Sequence, residues 1–267
     1  MISMIVMSLI ILVIAISMSM VGKGGGNFYV LSMVLAGASM QEAATTSQLI
    51  MMMTSITSML VFHKSKKVDW KLALVIDPPT DIMAFVGGYF AGNMDGSTLK
   101  IMFAILLIVI SFFMFFNVNK KAVCMEKTAE TRFGFWHRSF GGYSYTVNLW
   151  ITLPLTALVG FFAGAVGISG GAFKIPLMVI LCGIPMEIAI GTSAAMVAAT
   201  ALMGFLGHSV SGSINFLYTI PLAIMAVLGG LIGSRYAVHS KPKHLQKIFA
   251  VTNLVAALVM IFSILLK

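Results

Sequence analysis

The sequence predicts an all-α polytopic membrane protein built from two inverted-topology repeats, each with a glycine-broken, half-length helical segment. Three observations carry that expectation. Of 267 residues, 59% are hydrophobic and only 9% charged, whereas an ordinary soluble domain is about one-quarter charged. The apolar residues fall into successive runs of roughly 18 to 23 between short polar links, the length that a hydrocarbon layer of about 30 Å demands of helices rising 1.5 Å per residue. A similar glycine-rich interruption occurs once in each half of the chain. No strand-like alternation bounded by turn signals competes with this reading, so a barrel is not expected.

In chain order, Ile2 to Val21 is the first span; it has neither a basic leader nor a small-residue cleavage site and reads as a retained helix. The first interruption follows, Gly22 to Ser47, GKGGGNFYVLSMVLAGASMQEAATTS. Within it the apolar segment from Phe28 to Leu35 covers only about half the bilayer. Ala43 to Phe62, Leu72 to Gly92 and Leu99 to Asn117 complete a first transmembrane repeat, residues 1–117. Residues 118–146 form a long connection whose mixed charges and aromatics fit an amphipathic, cytoplasmic surface segment. The second repeat, 147–267, runs through Val147 to Val166, Phe173 to Leu181, Ile188 to Gly207, Phe216 to Ala237 and His244 to Leu266.

The second interruption, Gly160 to Ser193, reads GFFAGAVGISGGAFKIPLMVILCGIPMEIAIGTS and can be laid over the first. Gly22, Gly25, Gly26 and Phe28 face Gly167, Gly170, Gly171 and Phe173. After a one-residue gain in the second copy, Met40, Ala43, Thr46 and Ser47 face Met186, Ala189, Thr192 and Ser193.

The basic residues predict how the halves are oriented. Lys64, Lys66, Lys67 and Lys71 place the loop 63–71 in the cytoplasm, and Lys120, Lys121, Lys127, Arg132 and Arg138 place the central connection there too. In the second half the matching loop, 209–215, is uncharged, and the next one carries Arg235, Lys241, Lys243 and Lys247. The bias has moved by one loop, so matching elements face opposite sides, as in secondary transporters. Both chain ends are expected outside. The net charge of +9 is therefore an orientation signal and not a nucleic-acid surface.

Glycine clusters within a membrane segment free backbone groups that lipid cannot satisfy, so they belong where protein or a wet cavity surrounds them. Two such breaks, one per half, are expected to meet at a midplane site. Helix N-termini aimed into it would favour an anion. Its candidate lining is Lys23, Gly24, Gly25, Gly26, Asn27, Thr45, Thr46, Ser47, Ser169, Gly170, Gly171, Lys174, Gly191, Thr192 and Ser193. Lys23 and Lys174 would neutralise the anion, because an ammonium in lipid needs a partner. Asp77 and Asp81 stand one turn apart in LVIDPPTDIMAFVGG and are candidates for proton or sodium coupling, or for pairing with Lys174. Gly160, Gly164, Gly229 and Gly230 read as close-packing positions, Glu42 and Glu187 as helix caps, and His208 as an interfacial residue at a span end. Cys124 and Cys182 make neither a disulfide framework nor a metal site. The 22 methionines read as lipid-facing or gap-filling, since Met51, Met52 and Met53 point in three directions on a helix. No metal, cofactor or catalytic residue is expected; the partners are a small anion, the bilayer, a coupling ion and, as an open option, further copies of the chain.

GAVGISGGAFKIPLMVILCGIP followed by AIGTS resembles the signature of the sulfite exporter TauE/SafE family of membrane permeases, and GKGGG followed by TTS resembles its partner repeat. The resemblance implies transport of small sulfur-containing anions, such as sulfite or organic sulfonates, across the cytoplasmic membrane. Ser169, Leu31, Lys23 and Lys174 depart from the residues the family pattern leads one to expect.

A second class is an intramembrane serine protease. Gly167-Ile168-Ser169-Gly170 resembles a rhomboid-type nucleophile motif, with Ser169 as nucleophile and His208 as its base. Against it, Gly24 stands where the second copy has Ser169, so the repeat preserves backbone freedom and not a hydroxyl.

Overall fold

The computed structural model describes residues 4–99, 101–102, 105, 133–168, 170–211, 215–241, 244–245, 247–248 and 251. Ser169, Cys124, most of the expected spans 99–117 and 244–266, and residues 118–132 lie outside the described residues.

Helix α1 is Met4–Met20, α2 is Gly26–Leu35 and α3 is Met40–Lys64. The start of α3 is fixed by a capping box in which Ser39 and Glu42 satisfy each other's backbone N–H groups. Next come α4, Trp70–Ile76, and α5, Pro78–Ala91. The expected span 72–92 is thus two helices, because Pro78 and Pro79 supply no amide hydrogens and are best placed in a first helical turn. After a β-hairpin come α6, Leu149–Val166, and the short α7, Gly171–Pro176, which continues as a π-turn over Leu177–Leu181. Two long helices follow, α8 from Met186 to Ser211 and α9 from Phe216 to His239. Among the described residues α3, α6, α8 and α9 are long and apolar enough to cross a membrane. The protein is an all-α multi-pass membrane protein.

An apolar face suited to lipid lies on α9, where Leu217, Ile220, Ile224, Leu228 and Ile232 are exposed along one stripe of helical spacing. Its other side is small. Gly229 and Gly233 press on the α1 backbone near Leu12 and Ile16, while Gly160 and Gly164 of α6 press on Thr80 and Ala84 of α5. Absent side chains let the helix axes approach, as expected for Gly160, Gly164 and Gly229 and for Gly230, which meets Thr54 of α3; Gly233 is an addition to that set.

Directions follow from the same contacts. α1 runs alongside α9 in one sense, and α6 runs alongside α5 in one sense. Central to both pairs, α3 and α8 cross antiparallel, with Gln48 near Gly204, and with Met51 and Val197 both against Gly24. α5 packs on α8 as α9 packs on α3. Exchanging the two halves therefore turns the contact pattern into itself.

Where it is described, the central connection forms a β-hairpin whose first strand alternates between exposed and half-buried residues. Residues Phe135–Phe140 (β1) and Tyr143–Asn148 (β2) pair antiparallel, Arg138 opposite Tyr145. This hairpin docks on the loop 63–71 through Asp69. Lys67 of that loop bonds Glu187 at 3.1 Å and the Val238 carbonyl at 3.1 Å. Glu187 thus holds a loop lysine in addition to sitting in the first turn of α8. The three basic connections share one end of the bundle.

Candidate functional site

The two glycine breaks meet. Gly22 and Gly167 both have positive φ, +67° and +78°, which ends α1 and α6 abruptly. A Cβ on Gly22 would strike the Ile190 carbonyl of α8, and one on Gly167 would strike the Ala44 backbone of α3. Serines lock both contacts: Ser47 donates to the Gly167 carbonyl at 2.8 Å and Ser193 donates to the Gly22 carbonyl at 2.9 Å. Each bond is the counterpart of the other under the repeat. Between them, a Cβ on Gly171 would come within 3.1 Å of the Lys23 Cα, so the second break lies directly against the first.

Most of the expected lining is in or beside this junction. Lys23 is buried, and Gly24 faces Ser55, Met51 and Val197. Gly25, at φ +89°, is the N-cap of α2 and brings no side-chain cap to the turn begun by Gly26 and Asn27. Gly170 lies beside the Lys174 stem and Thr80. Thr45, Thr46 and Ser47 are inside α3 and Gly191, Thr192 and Ser193 inside α8, about one turn past the helix starts. Thr45 donates to Gln41, Thr192 accepts the Asp69 N–H at 3.0 Å, and Gly191 packs on the Lys67 backbone.

The expected carboxylates converge on the expected lysine. The Lys174 ammonium is ion-paired with Asp77 and donates to the Thr200 hydroxyl at 2.6 Å; the Thr200 oxygen lies 2.7 Å from an Asp81 oxygen and donates to it. Lys174 and Asp77 are buried, 2% and 5% exposed at their side chains, so each depends on the other for its charge. The kink at Pro78 sets the two carboxylates on the side of α5 that faces α8.

Thr200 escaped the sequence reading, as did its counterpart. Under the repeat Lys174 corresponds to Tyr29 and Thr200 to Thr54, and Tyr29 and Thr54 are hydrogen-bonded at 3.1 Å. The signal was available in the alignment itself, since Tyr29 and Lys174 each follow a matched phenylalanine. The packing contacts place Ala226 and Gly230 of α9 where α5 has Asp77 and Asp81. Among the described residues the charged cluster has no equivalent at the matching place in the other half.

Asp69 is a further residue that the sequence reading passed over. Its carboxylate accepts two bonds at 3.0 Å from Arg138, one from the Tyr145 hydroxyl and one from the Leu72 N–H at 3.2 Å, where it caps α4. Burial pushes its pKa up, but these donors outweigh that and hold it below the usual carboxylate range. Burial first, and the hydrogen bond to Asp69 second, raise the Tyr145 phenol above its ordinary value, so it remains a donor.

His208 is buried and not interfacial, with its Nε2 at 2.8 Å from the Gly164 carbonyl. Gly88 leaves room beside the ring, and the Gly164 carbonyl gives its nitrogen a partner. That nitrogen is engaged in joining α8 to α6.

Comparison with known proteins agrees with the architecture. The family model described as Sulfite exporter TauE/SafE matches residues 7–260. The chain is 26% identical over 224 residues to the probable membrane transporter protein YunE of Bacillus subtilis, covering 81% of this chain and 82% of that one. It is 22% identical over 214 residues to a probable membrane transporter protein of Methanocaldococcus jannaschii, covering 76% and 73%. A probable membrane transporter protein of Haemophilus influenzae is 25% identical over 173 residues, covering 65% and 58%. No solved structure matches. With nearly its whole length matched and a multi-pass helical fold, the chain is a membrane transporter and not an enzyme, and it belongs to the sulfite exporter TauE/SafE family.

Proposed function

We propose that this protein moves a small sulfur-containing anion, such as sulfite or an organic sulfonate, across the cytoplasmic membrane by alternating access. The observation that carries the reading is the meeting of the two glycine breaks beside a buried lysine cluster. The substrate site would lie at that junction, with Lys23, the uncapped start of α2 over Gly25, Gly26 and Asn27, and Lys174 as its positive elements. Thr46, Gly170 and Gly171 complete its wall, while Ser47 and Ser193 keep the breaks in register. The halves act as inverted repeats that rock about the α3–α8 crossing, with both chain ends outside.

Coupling follows from charge arithmetic within the cluster. One ammonium, Lys174, faces two carboxylates, Asp77 and Asp81. A proton or sodium ion taken up by the carboxylates relaxes their hold on Lys174, and the freed ammonium then attracts the anion. Anion and cation therefore load together.

The test is flux of 35S-labelled sulfite and methanesulfonate into proteoliposomes under an imposed pH or sodium gradient. The parent protein is expected to show gradient-stimulated uptake, and Lys174→Met to lose most of it. Uptake by Lys174→Met as fast as by the parent would remove Lys174 from the mechanism.

A further inference from the structure

The face of α3 turned toward α8 carries two buried polar side chains, Gln48 and Ser55, that have no hydrogen-bond partner among the described residues. Both the oxygen and the nitrogen of the Gln48 amide are unsatisfied, although the residue is wholly buried. Native proteins hold few such groups because each costs stability, and a polar ligand is one of the explanations they have. The residues opposite reinforce this. A Cβ on Gly204 would come within 2.6 Å of the Gln48 nitrogen, and a Cβ on Gly24 within 2.7 Å of the Ser55 hydroxyl. Each polar atom sits in the space that a side chain would take at the facing glycine, so glycine is what lets the polar groups of α3 come against the opposite backbone.

The repeat supplies an internal control. In the second half the counterparts of Gln48 and Ser55 are Ala194 and Ala201 of α8, both buried at the same crossing. An α3–α8 seam can therefore be packed with alanine, and the polar groups on α3 answer to something other than packing. Ser55 stands at the first break, beside the start of α2. Gln48 lies two helical turns away, about 10 Å along α3, next to Ser47, which holds the second break.

We infer that Gln48 and Ser55 contact the transported anion. Ser55 donates to the oxyanion at the first break, and Gln48 receives it at the next step along the α3–α8 seam. The inference rests on the anion-transport reading above and adds two specificity residues to it, separate from the Lys174, Asp77 and Asp81 cluster.

Sulfite uptake into proteoliposomes is compared for the parent protein, Gln48→Met and Ser55→Ala, with the melting temperature of each in detergent, with and without saturating sulfite. Each substitution is expected to raise KM for sulfite about ten-fold or more, the loss of one hydrogen bond to a charged group. Without anion, melting is expected to stay unchanged or rise, because an orphaned polar group has gone. The rise in melting temperature that sulfite gives the parent should shrink in both variants. Gln48→Leu replaces Gln48→Met if the latter cannot be purified. Parent-like KM and parent-like stabilisation by sulfite in both variants would overturn the inference while leaving the transport reading in place. A parent protein that carries neither sulfite nor methanesulfonate overturns the transport reading, and this inference with it.

Discussion

Ser47 donates its hydroxyl across the bundle to the carbonyl of Gly167 at 2.8 Å, and its counterpart Ser193 does the same to Gly22 at 2.9 Å. The four residues are partners in the sequence alignment of the halves before they are partners in space. Each serine reaches the place where a helix of the opposite half stops, and accepts the task lipid cannot perform, which is to satisfy a carbonyl freed by a break. The bonds thus tie the helix ends to the central crossing of α3 and α8.

Ser47→Ala and Ser193→Ala should each destabilise the protein by about 1–3 kcal/mol, since a buried carbonyl is left with one partner fewer. Ser47 lies within reach of the Ala44 carbonyl at 2.9 Å as well, so its single proton serves two acceptors and the loss should fall at the lower end. Thermal melting in detergent measures both. Melting temperatures equal to the parent's would show that the helix ends are held by packing alone.

Gly22→Ala and Gly167→Ala should be far more damaging. Each residue has a left-handed backbone, and the added methyl meets main chain of α8 or α3, which cannot rotate away. Left-handed strain of about 1–2 kcal/mol and overpacking of about 1–3 kcal/mol act together. Expression and monodispersity on size-exclusion chromatography are expected to collapse for both, while Gly37→Ala, whose position is open, should bear only the strain. Normal behaviour of Gly22→Ala would contradict the tight junction.

The all-helical membrane fold was legible because lipid imposes its own arithmetic: apolar run length and glycine breaks point to helices and to where they are interrupted. The half-length segments lie where the sequence places them, as α2 and as α7 with its π-turn. Of the site, the lysine and both carboxylates were legible because charge within a span is costly and so conspicuous. Thr200 was not, since one threonine among several on an apolar helix carries no such signal. The hairpin over 135–148 was obscured by the glycine pair and short length of its strands, and its bond to Asp69 spans 69 residues. Burial of His208 depended on Gly88, which leaves it room, and on the Gly164 carbonyl, which bonds it, both on other helices.

Lys174→Met and Asp77→Asn should not be additive. Removing the lysine alone strands a buried carboxylate and should cost about 3–5 kcal/mol, whereas Lys174→Met with Asp77→Asn leaves Asp81 as the one carboxylate of the cluster, still bonded by Thr200, and should recover part of it. Transport should not recover with stability, because the double variant has lost the switching charge. A melting series on the two single variants and the double variant, paired with sulfite flux, separates the structural from the transport role. Additive losses would mean that the pair contributes little to the fold.

Asp69 gives the cytoplasm-facing end of the bundle, as the basic loops predict it, a defined response to acid. Its folded pKa lies below its unfolded value of about 3.9. A carboxyl shifted in that direction contributes stability that is present above the unfolded value and is lost as pH falls through the folded one. Melting temperature should therefore be insensitive to this group between pH 7 and about 5, and fall once pH drops below about 4. Asp69→Asn should melt lower than the parent at pH 7, and the gap should close as the medium is acidified. Arg138→Leu should have the same effect in smaller measure, because Tyr145 and the Leu72 N–H remain on the carboxylate. A gap between parent and Asp69→Asn that stays constant from pH 7 to pH 3 would mean that the hairpin is docked by packing of Tyr145 and Val147 and not by this ion pair.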